Sequence, residues 1–253
     1  SFPIIRSYAI RALSFCLGRN RKYIIEILEY FYEVKDPYVI QGLMAAVYGV
    51  SLRTYTNDIF ITTIAQYIYD QYYKVESLVP NDVIIRQWQM KLMERVYYLN
   101  SDFTDWKKIL VRKKIRPSNN PMVKDRVDLA SDSNVFGEQK NGTYSLYDSL
   151  CNGTNMGSDF CRYTLHMNST NFSDIYFRNK NDQEGVPMPT VQNSIIRIIR
   201  DDIGWNDKLA DKDIYTPDHN EFNNNSERIG KKYQWMGLYR VEAYLMDTCF
   251  IRV

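Results

Sequence analysis

The sequence predicts a mainly α fold: HEAT-like stacked helical hairpins, followed by a long irregular insert and further helices. Three observations carry that expectation. Apolar residues recur at helical spacing through the first hundred positions. Pro, Asp and Asn stand where those helices would begin, and Gly where one would end. From Ile115 to Pro189 the periodicity breaks, and Asn, Ser, Asp and Gly dominate. The expected organisation is a helical array over 1–112, a polar insert over 113–189, partly loop, and a C-terminal helical segment over 190–253.

The elements follow in order. Pro3 suits the first turn of a helix, since its missing N–H would have no partner there. Ile5, Ala9, Ala12, Leu13 and Cys16 form the expected inner stripe. Gly18 is the expected stop, and Asn20 the expected N-cap of a second helix bearing Ile24, Ile27, Leu28 and Phe31. Asp36-Pro37 is a strong start signal for a third helix burying Val39, Leu43, Ala46, Val47 and Val50. Its Gly42, Ala45, Ala46 and Gly49 leave room for a close neighbour; a helical Gly costs about 1 kcal/mol relative to Ala, so close packing is the reason to keep it. Asn57 or Asp58 caps a fourth helix carrying Ile61, Ile64, Ala65, Ile68 and Tyr72. Pro80, Asn81 and Asp82 open a fifth, with Ile85, Trp88, Leu92, Val96 and Leu99 inward. No such helix buries its stripe alone, so the set must stack, as an array or as a compact bundle.

Beyond the break, Asp159–Leu165 fits a short strand or a turn of helix. Gly185 to Pro189 reads as a turn before a helix with Val191, Ile195, Ile198 and Ile199, ending near Gly204. A last helix starts near Ser226 or Glu227, its apolar face holding Trp235, Leu238, Tyr239, Ala243, Met246, Cys249 and Phe250. Glu242 falls inside that face, and a buried carboxylate needs a cation; Arg228, Lys231, Lys232 and Arg240 are the candidates.

Composition limits the chemistry. A net charge of +2 supplies no global field toward nucleic acid or an anionic membrane, so neither partner is expected. No apolar run approaches the ~20 residues that span a bilayer. Cys16 and Cys249 read as small core residues; Cys151 and Cys161 lie in a polar stretch where they can reach one another. With no CxxC pair and with His166 and His219 far apart, no zinc site is expected. Sequons at Asn141, Asn152, Asn168, Asn171 and Asn224 are what an Asn-rich chain makes by chance. No signal peptide precedes them, so a cytoplasmic location is expected. The chain enters a helical pattern almost at once, has no initiating Met and ends in Ile251-Arg252-Val253, which reads as a piece of a longer protein.

Motifs for catalysis are missing. Gly230-Lys231-Lys232 lacks the leading Gly and the Ser/Thr of a phosphate loop, and no HExxH or GxSxG occurs. Asp201, Asp202, Asp211 and Asp213 are paired carboxylates of the kind metal-dependent nucleases use; solvated surfaces carry such pairs more often. Arg112, Lys113, Lys114 and Arg116 form a basic run that reads as a solvated helix end. Unusually abundant Tyr (21 residues) suits helix interfaces and partner surfaces. Tyr67, Tyr69, Tyr72 and Tyr73, with the basic run, are the candidate partner-binding residues; helix packing is an equally good reading of the tyrosines.

Several segments, taken together, resemble one family. They are Asp36-Pro37-Tyr38, Ala46-Val47-Tyr48-Gly49, Ala65-Gln66-Tyr67-Ile68-Tyr69-Asp70, Ile115-Arg116-Pro117 and Gly157-Ser158-Asp159-Phe160-Cys161-Arg162-Tyr163. The most specific is Glu227-Arg228-Ile229-Gly230-Lys231-Lys232-Tyr233-Gln234-Trp235. In this order they resemble the helical region downstream of the ATPase in large bacterial NACHT/STAND-type ATP-binding proteins, antiphage proteins of the AVAST class among them. The resemblance runs in islands from about Asp36 to Asp247. It departs from the family pattern at Arg86-Gln87-Trp88, where an acidic residue would follow the Arg. What it implies is a non-catalytic sensor or scaffold portion that binds a phage protein and so triggers oligomerisation. ATP and Mg would bind elsewhere in the parent protein, and no cofactor would bind this chain. The alternative is a generic helical interaction domain, with the metal-dependent nuclease behind it.

Overall fold

A computed structural model describes residues 3–34, 36–54, 58–75, 78–99, 121–122, 146–151, 160–166, 177–179, 186–206, 209 and 229–251. The described residues are mainly helical, and the chain divides into two compact units, Ser1–Ser118 and Asn119–Val253.

In the first unit, α1 (Pro3–Arg19) leads through a 3-10 turn, Arg21–Tyr23, into α2 (Ile24–Tyr32). Then come α3 (Pro37–Ser51), α4 (Ile59–Ile68) with a π-helical extension over Tyr69–Tyr73, and α5 (Val83–Leu99). α3 packs between α1 and α5, while α2 packs on α3 and α4, and α4 on α5. Odd-numbered helices thus form one row and even-numbered helices lean on it, the contact order of stacked hairpins. The core holds Ile24, Leu28, Leu43, Val47, Val50, Ile61, Ile64, Ile68, Leu92 and Val96, each with almost no exposed surface.

Three expected starts are built by carboxylates. Asp36 accepts a hydrogen bond from the Tyr38 N–H at 2.9 Å, with Pro37 opening the helix. Asp58 accepts from the Phe60 N–H at 2.9 Å, and Asp82 from the N–H groups of Ile84 and Ile85, both at 2.9 Å. Each such cap contributes about 1 kcal/mol. Asn20 acts at the other end from the one expected: its side chain donates to the Cys16 carbonyl at 3.0 Å, closing α1, and gives no cap to the 3-10 turn that follows.

The small residues of α3 do admit a neighbour. A Cβ at Gly49 would lie 2.6 Å from Ser14 Oγ, and one at Gly42 would touch Ile10 of α1. The helix that approaches is turned differently from the expectation. Ser14 and Leu17 are buried, with Arg6 and Ile10 half-buried beside them, whereas Ile5, Ala9, Ala12, Leu13 and Cys16 are exposed. α1 is apolar on two faces, and the face set against α3 is the one that complements glycine. Val39, expected inside, is 40% exposed, because it sits in the first turn of α3, ahead of the buried stretch. The π-helical turn explains a further shift. A wider turn delays the inward face by one residue, so Tyr73, not Tyr72, is buried.

The second unit contains α6 (Leu146–Cys151), a π-helical segment Phe160–His166, β1 (Phe177–Asn179) and α7 (Met188–Arg197) with a π-helical end over Ile198–Asp202. α8 (Ile229–Thr248) and β2 (Cys249–Ile251) close it. β1 and β2 pair antiparallel, Phe177 opposite Ile251 and Arg178 opposite Phe250. Cys249 and Phe250, expected in the last helix, therefore belong to this short ladder. Gly204 takes φ +86°, and the reversal lets the Trp205 N–H reach the Ile199 carbonyl at 3.0 Å.

Leu150, Phe160 and Leu165, from the stretch expected to be an irregular insert, share one core with Val191, Ile195, Ile199, Leu238, Val241 and Leu245. Asp159–Leu165 resolves in favour of helix over strand, as the π-helical segment from Phe160 onward. α7 crosses α8 at Gly237, where a Cβ would stand 3.0 Å from Ile195 Cγ2 and 3.2 Å from the Ile195 carbonyl oxygen. No residue of α8 from Gly230 to Thr248 is fully exposed. Trp235, Tyr239 and Met246 of the expected face are half-buried, while Val241 and Leu245, outside that expectation, are buried.

Candidate functional site

The tyrosine cluster is the first candidate surface. α4 and its π-helical turn carry Tyr67, Tyr69, Tyr72 and Tyr73 toward α2 and α5. Tyr73 is buried, and its hydroxyl donates to Gln89 Oε1 at 2.9 Å, a bond between two side chains of the core. Tyr67, Tyr69 and Tyr72 are half-buried against the same core, and the Tyr72 ring lies 6.0 Å from that of Tyr32. Burial, then the neighbouring hydroxyls of Tyr67 and Tyr32, push the Tyr72 phenol up to about 12. Burial and the nearby Glu29 push Tyr67 in the same direction. The packing reading therefore accounts for Tyr73 wholly and for the other three in large part. Outward-facing tyrosines of this unit are instead Tyr8, Tyr23, Tyr30, Tyr32 and Tyr98. A helix with apolar residues on both faces is the sequence signal that marks Tyr8.

The remaining candidates divide. Arg112, Lys113, Lys114, Arg116 and Arg228 lie outside the described residues, as do Asp211, Asp213 and all five sequons. Lys231 and Lys232 are half-buried in the first turns of α8, and Glu242 is half-buried between the buried Val241 and Ala243. Arg240, one of the cations offered for Glu242, places NH1 3.6 Å from Asp202 Oδ2. Asp202 also faces Arg197 at 3.9 Å. Asp201 is held by Arg200 through contacts of 2.5 and 3.0 Å, and that pairing keeps its carboxyl below the usual range. Both described carboxylates of the proposed nuclease set thus face arginines. Among the described residues no group of His, Cys, Asp or Glu is placed to hold a metal ion.

All four cysteines are free thiols. Cys161 is buried and accepts from Gln192 Nε2 at 3.6 Å; burial pushes its thiol up, away from the nucleophilic thiolate. Cys151 and Cys249 are half-buried. Cys16, expected in the core, is exposed on α1.

Two features of the first unit face solvent with an organised composition. One is the outer side of α1, where Ile4, Ile5, Tyr8 and Phe15 are all exposed. The other is an open cleft of about 610 Å³ between the end of α1 and the start of α4, lined by Gly18 to Lys22 and Asp58 to Phe60. Arg21 pairs with Asp58 at its wall. Arg19, which also lines the cleft, lies over the Phe15 ring at 4.4 Å, and Arg53 lies over the same ring at 5.6 Å. Among the described residues no helix is long and apolar enough to cross a membrane. Comparison of the chain with family models, with curated proteins and with solved structures finds no match in any of the three.

Proposed function

We propose that this chain is a non-catalytic helical sensor and scaffold module that works by binding another protein. The observation that carries the reading is the first unit: a stacked row of helices, an architecture that offers an extended binding surface, with large apolar side chains such as Tyr30, Phe60 and Tyr98 in solvent. Large exposed apolar patches on soluble domains mark interaction surfaces. The engagement of Asp201 and Asp202 by arginines favours this reading over a metal-dependent nuclease.

The resemblance stated above gives the module its biological setting. It would be the post-ATPase part of a STAND-type antiphage ATPase of the bacterial cytoplasm, sensing a phage protein and relaying that binding to self-association of the parent. Reading the gene on both sides of this segment and co-expressing its full product with individual phage proteins tests it. The expected result is a contiguous phosphate-loop ATPase and stoichiometric co-purification with one phage protein. If no ATPase is encoded and no phage protein is retained, the antiphage setting falls. The generic interaction module, which shares only the protein-binding surface, then replaces it.

A further inference from the structure

We infer that the exposed side of the α2–α4 junction, formed by Glu29, Tyr32, Glu33, Tyr67 and Tyr72, binds an ammonium group on an alkyl stem, the lysine side chain of a partner protein. The inference rests on the reading of the chain as a protein-binding module and names the chemistry of what it binds.

The site is built by two helices that pack on each other, so both of its walls belong to the first unit. α2 turns Ile24 and Leu28 into the core, which leaves Glu29, Tyr32 and Glu33 exposed. Spacings of three and four residues set these three on one side of the helix. α4 and its π-helical turn supply Tyr67 and Tyr72, half-buried against the same core. The Tyr32 and Tyr72 rings stand 6.0 Å apart with their planes tilted by 51°, and Tyr32 remains 56% exposed. Besides burial, Glu29 and the Tyr32 hydroxyl act on the Tyr67 phenol, and the Tyr67 and Tyr32 hydroxyls act on that of Tyr72. These contacts join the four side chains into one cluster.

Charge selects the ligand. Neither Glu29 nor Glu33 is ion-paired among the described residues. Lys74, at the end of the π-helical turn, pairs with Asp70 at 3.5 Å. Two carboxylates four residues apart on a helix repel each other. They also close α2 at its C-terminal end, where the helix carbonyls are already negative and no basic residue stands in the last turn. A cation brought from outside relieves both conflicts. The tyrosine faces add the negative side of their ring quadrupoles and an apolar surface for the stem. An anion would meet repulsion here, and an uncharged apolar side chain would strip water from the carboxylates without pairing them.

We would titrate the whole chain calorimetrically with a Gly/Ser peptide carrying three lysines. The same peptide with norleucine in their place, and free butylamine, are the comparison probes. The lysine peptide should bind, and the norleucine peptide should not. Glu29→Gln/Glu33→Gln should weaken binding about tenfold, and Tyr32→Leu about fivefold. Tyr32→Phe should keep the affinity, since the ring face and not the hydroxyl holds the cation. Glu94→Gln, which removes an exposed carboxylate from α5, should leave binding unchanged. Circular dichroism checks that these variants, all at exposed positions, keep their fold. Equal binding of the norleucine peptide would overturn the proposal. So would an unaltered Tyr32→Leu variant, or a loss in Glu94→Gln as large as that in the double variant. Butylamine binding as tightly as the peptide would make a small amine the ligand and overturn the assignment to a partner protein. Peptide binding without retention of any phage protein would sink the antiphage setting and leave this site standing. Retention of a phage protein without peptide binding would sink this site alone.

Discussion

α1 and α8 are long helices, one from each unit, with opposite degrees of burial. α1 has 17 residues and α8 has 20, and neither shows a strong separation of apolar from polar sides along its length. A helix with apolar residues on more than one side is expected to be covered on more than one side. α8 meets that rule: it buries Gly230, Gln234, Met236, Gly237, Leu238, Val241, Ala243 and Leu245, and nothing from Gly230 onward is left exposed. α1 breaks it, burying only Ser14 and Leu17. Equal patterning with unequal burial shows that the neighbours present, not the helix's own sequence, decide how much of it is covered.

Identical chemistry placed in the two helices gives the largest expected difference. Val241→Asp sets a carboxylate where the structure leaves no solvent, and the expected loss is about 4 kcal/mol or more. Ile5→Asp on the outer face of α1, where Ile5 is 56% exposed, should stay within about 0.5 kcal/mol of the parent. Urea denaturation of both variants measures the gap; similar losses would mean that α1 is covered after all.

A smaller effect comes from glycine. Gly237→Ala presses a methyl against Ile195 and Ile199, including backbone, and should cost about 1–3 kcal/mol. Gly49→Ala meets only the Ser14 side chain, whose Oγ is buried without a hydrogen-bond partner. The Ser14→Ala/Gly49→Ala pair should therefore recover most of what Gly49→Ala loses, and a double-mutant cycle reads the coupling. Removing the Arg95 guanidinium, which donates to the Ser51 and Thr54 carbonyls at 2.8 Å each, should cost about 1–2 kcal/mol in an Arg95→Ala variant.

The smallest effect is confined to alkaline pH. Tyr72 holds its proton up to about 12 in the folded chain, against about 10 for a free phenol. Its contribution to stability is therefore whole below pH 10 and is lost as pH rises toward 12. Tyr72→Phe should flatten that part of the stability profile, measured by thermal melts across the range.

Much of this contrast was legible in the residues. The carboxylate starts at Asp36, Asp58 and Asp82 were, because a cap depends on its own next three residues and nothing distant. So was the inward stripe of α7, Val191, Ile195, Ile198 and Ile199, although the helix begins at Met188, inside the stretch expected to turn. The direction of α1 was not. Ile5, Ala9, Ala12, Leu13 and Cys16 form a better stripe than Arg6, Ile10, Ser14 and Leu17, and only the glycines of α3 choose between them. The π-helical turns were equally hidden, since periodicity assumes one turn width throughout; Tyr73 was displaced by that assumption. Abundance of tyrosine pointed to α4 as a partner surface or as packing; Tyr73 is buried there, and Tyr67, Tyr69 and Tyr72 are half-buried. The stripe expected as the core side of α1 is exposed instead, because apolar spacing alone does not say which of two apolar sides is covered.

Arg95 has a consequence for the order in which the first unit opens. By closing the C-terminal carbonyls of α3 from α5, it ties those helices into one cooperative segment. α1 is fastened along a single side. Its amides should exchange with solvent through a separate, lower-energy opening, while those of α3 and α5 exchange together and late.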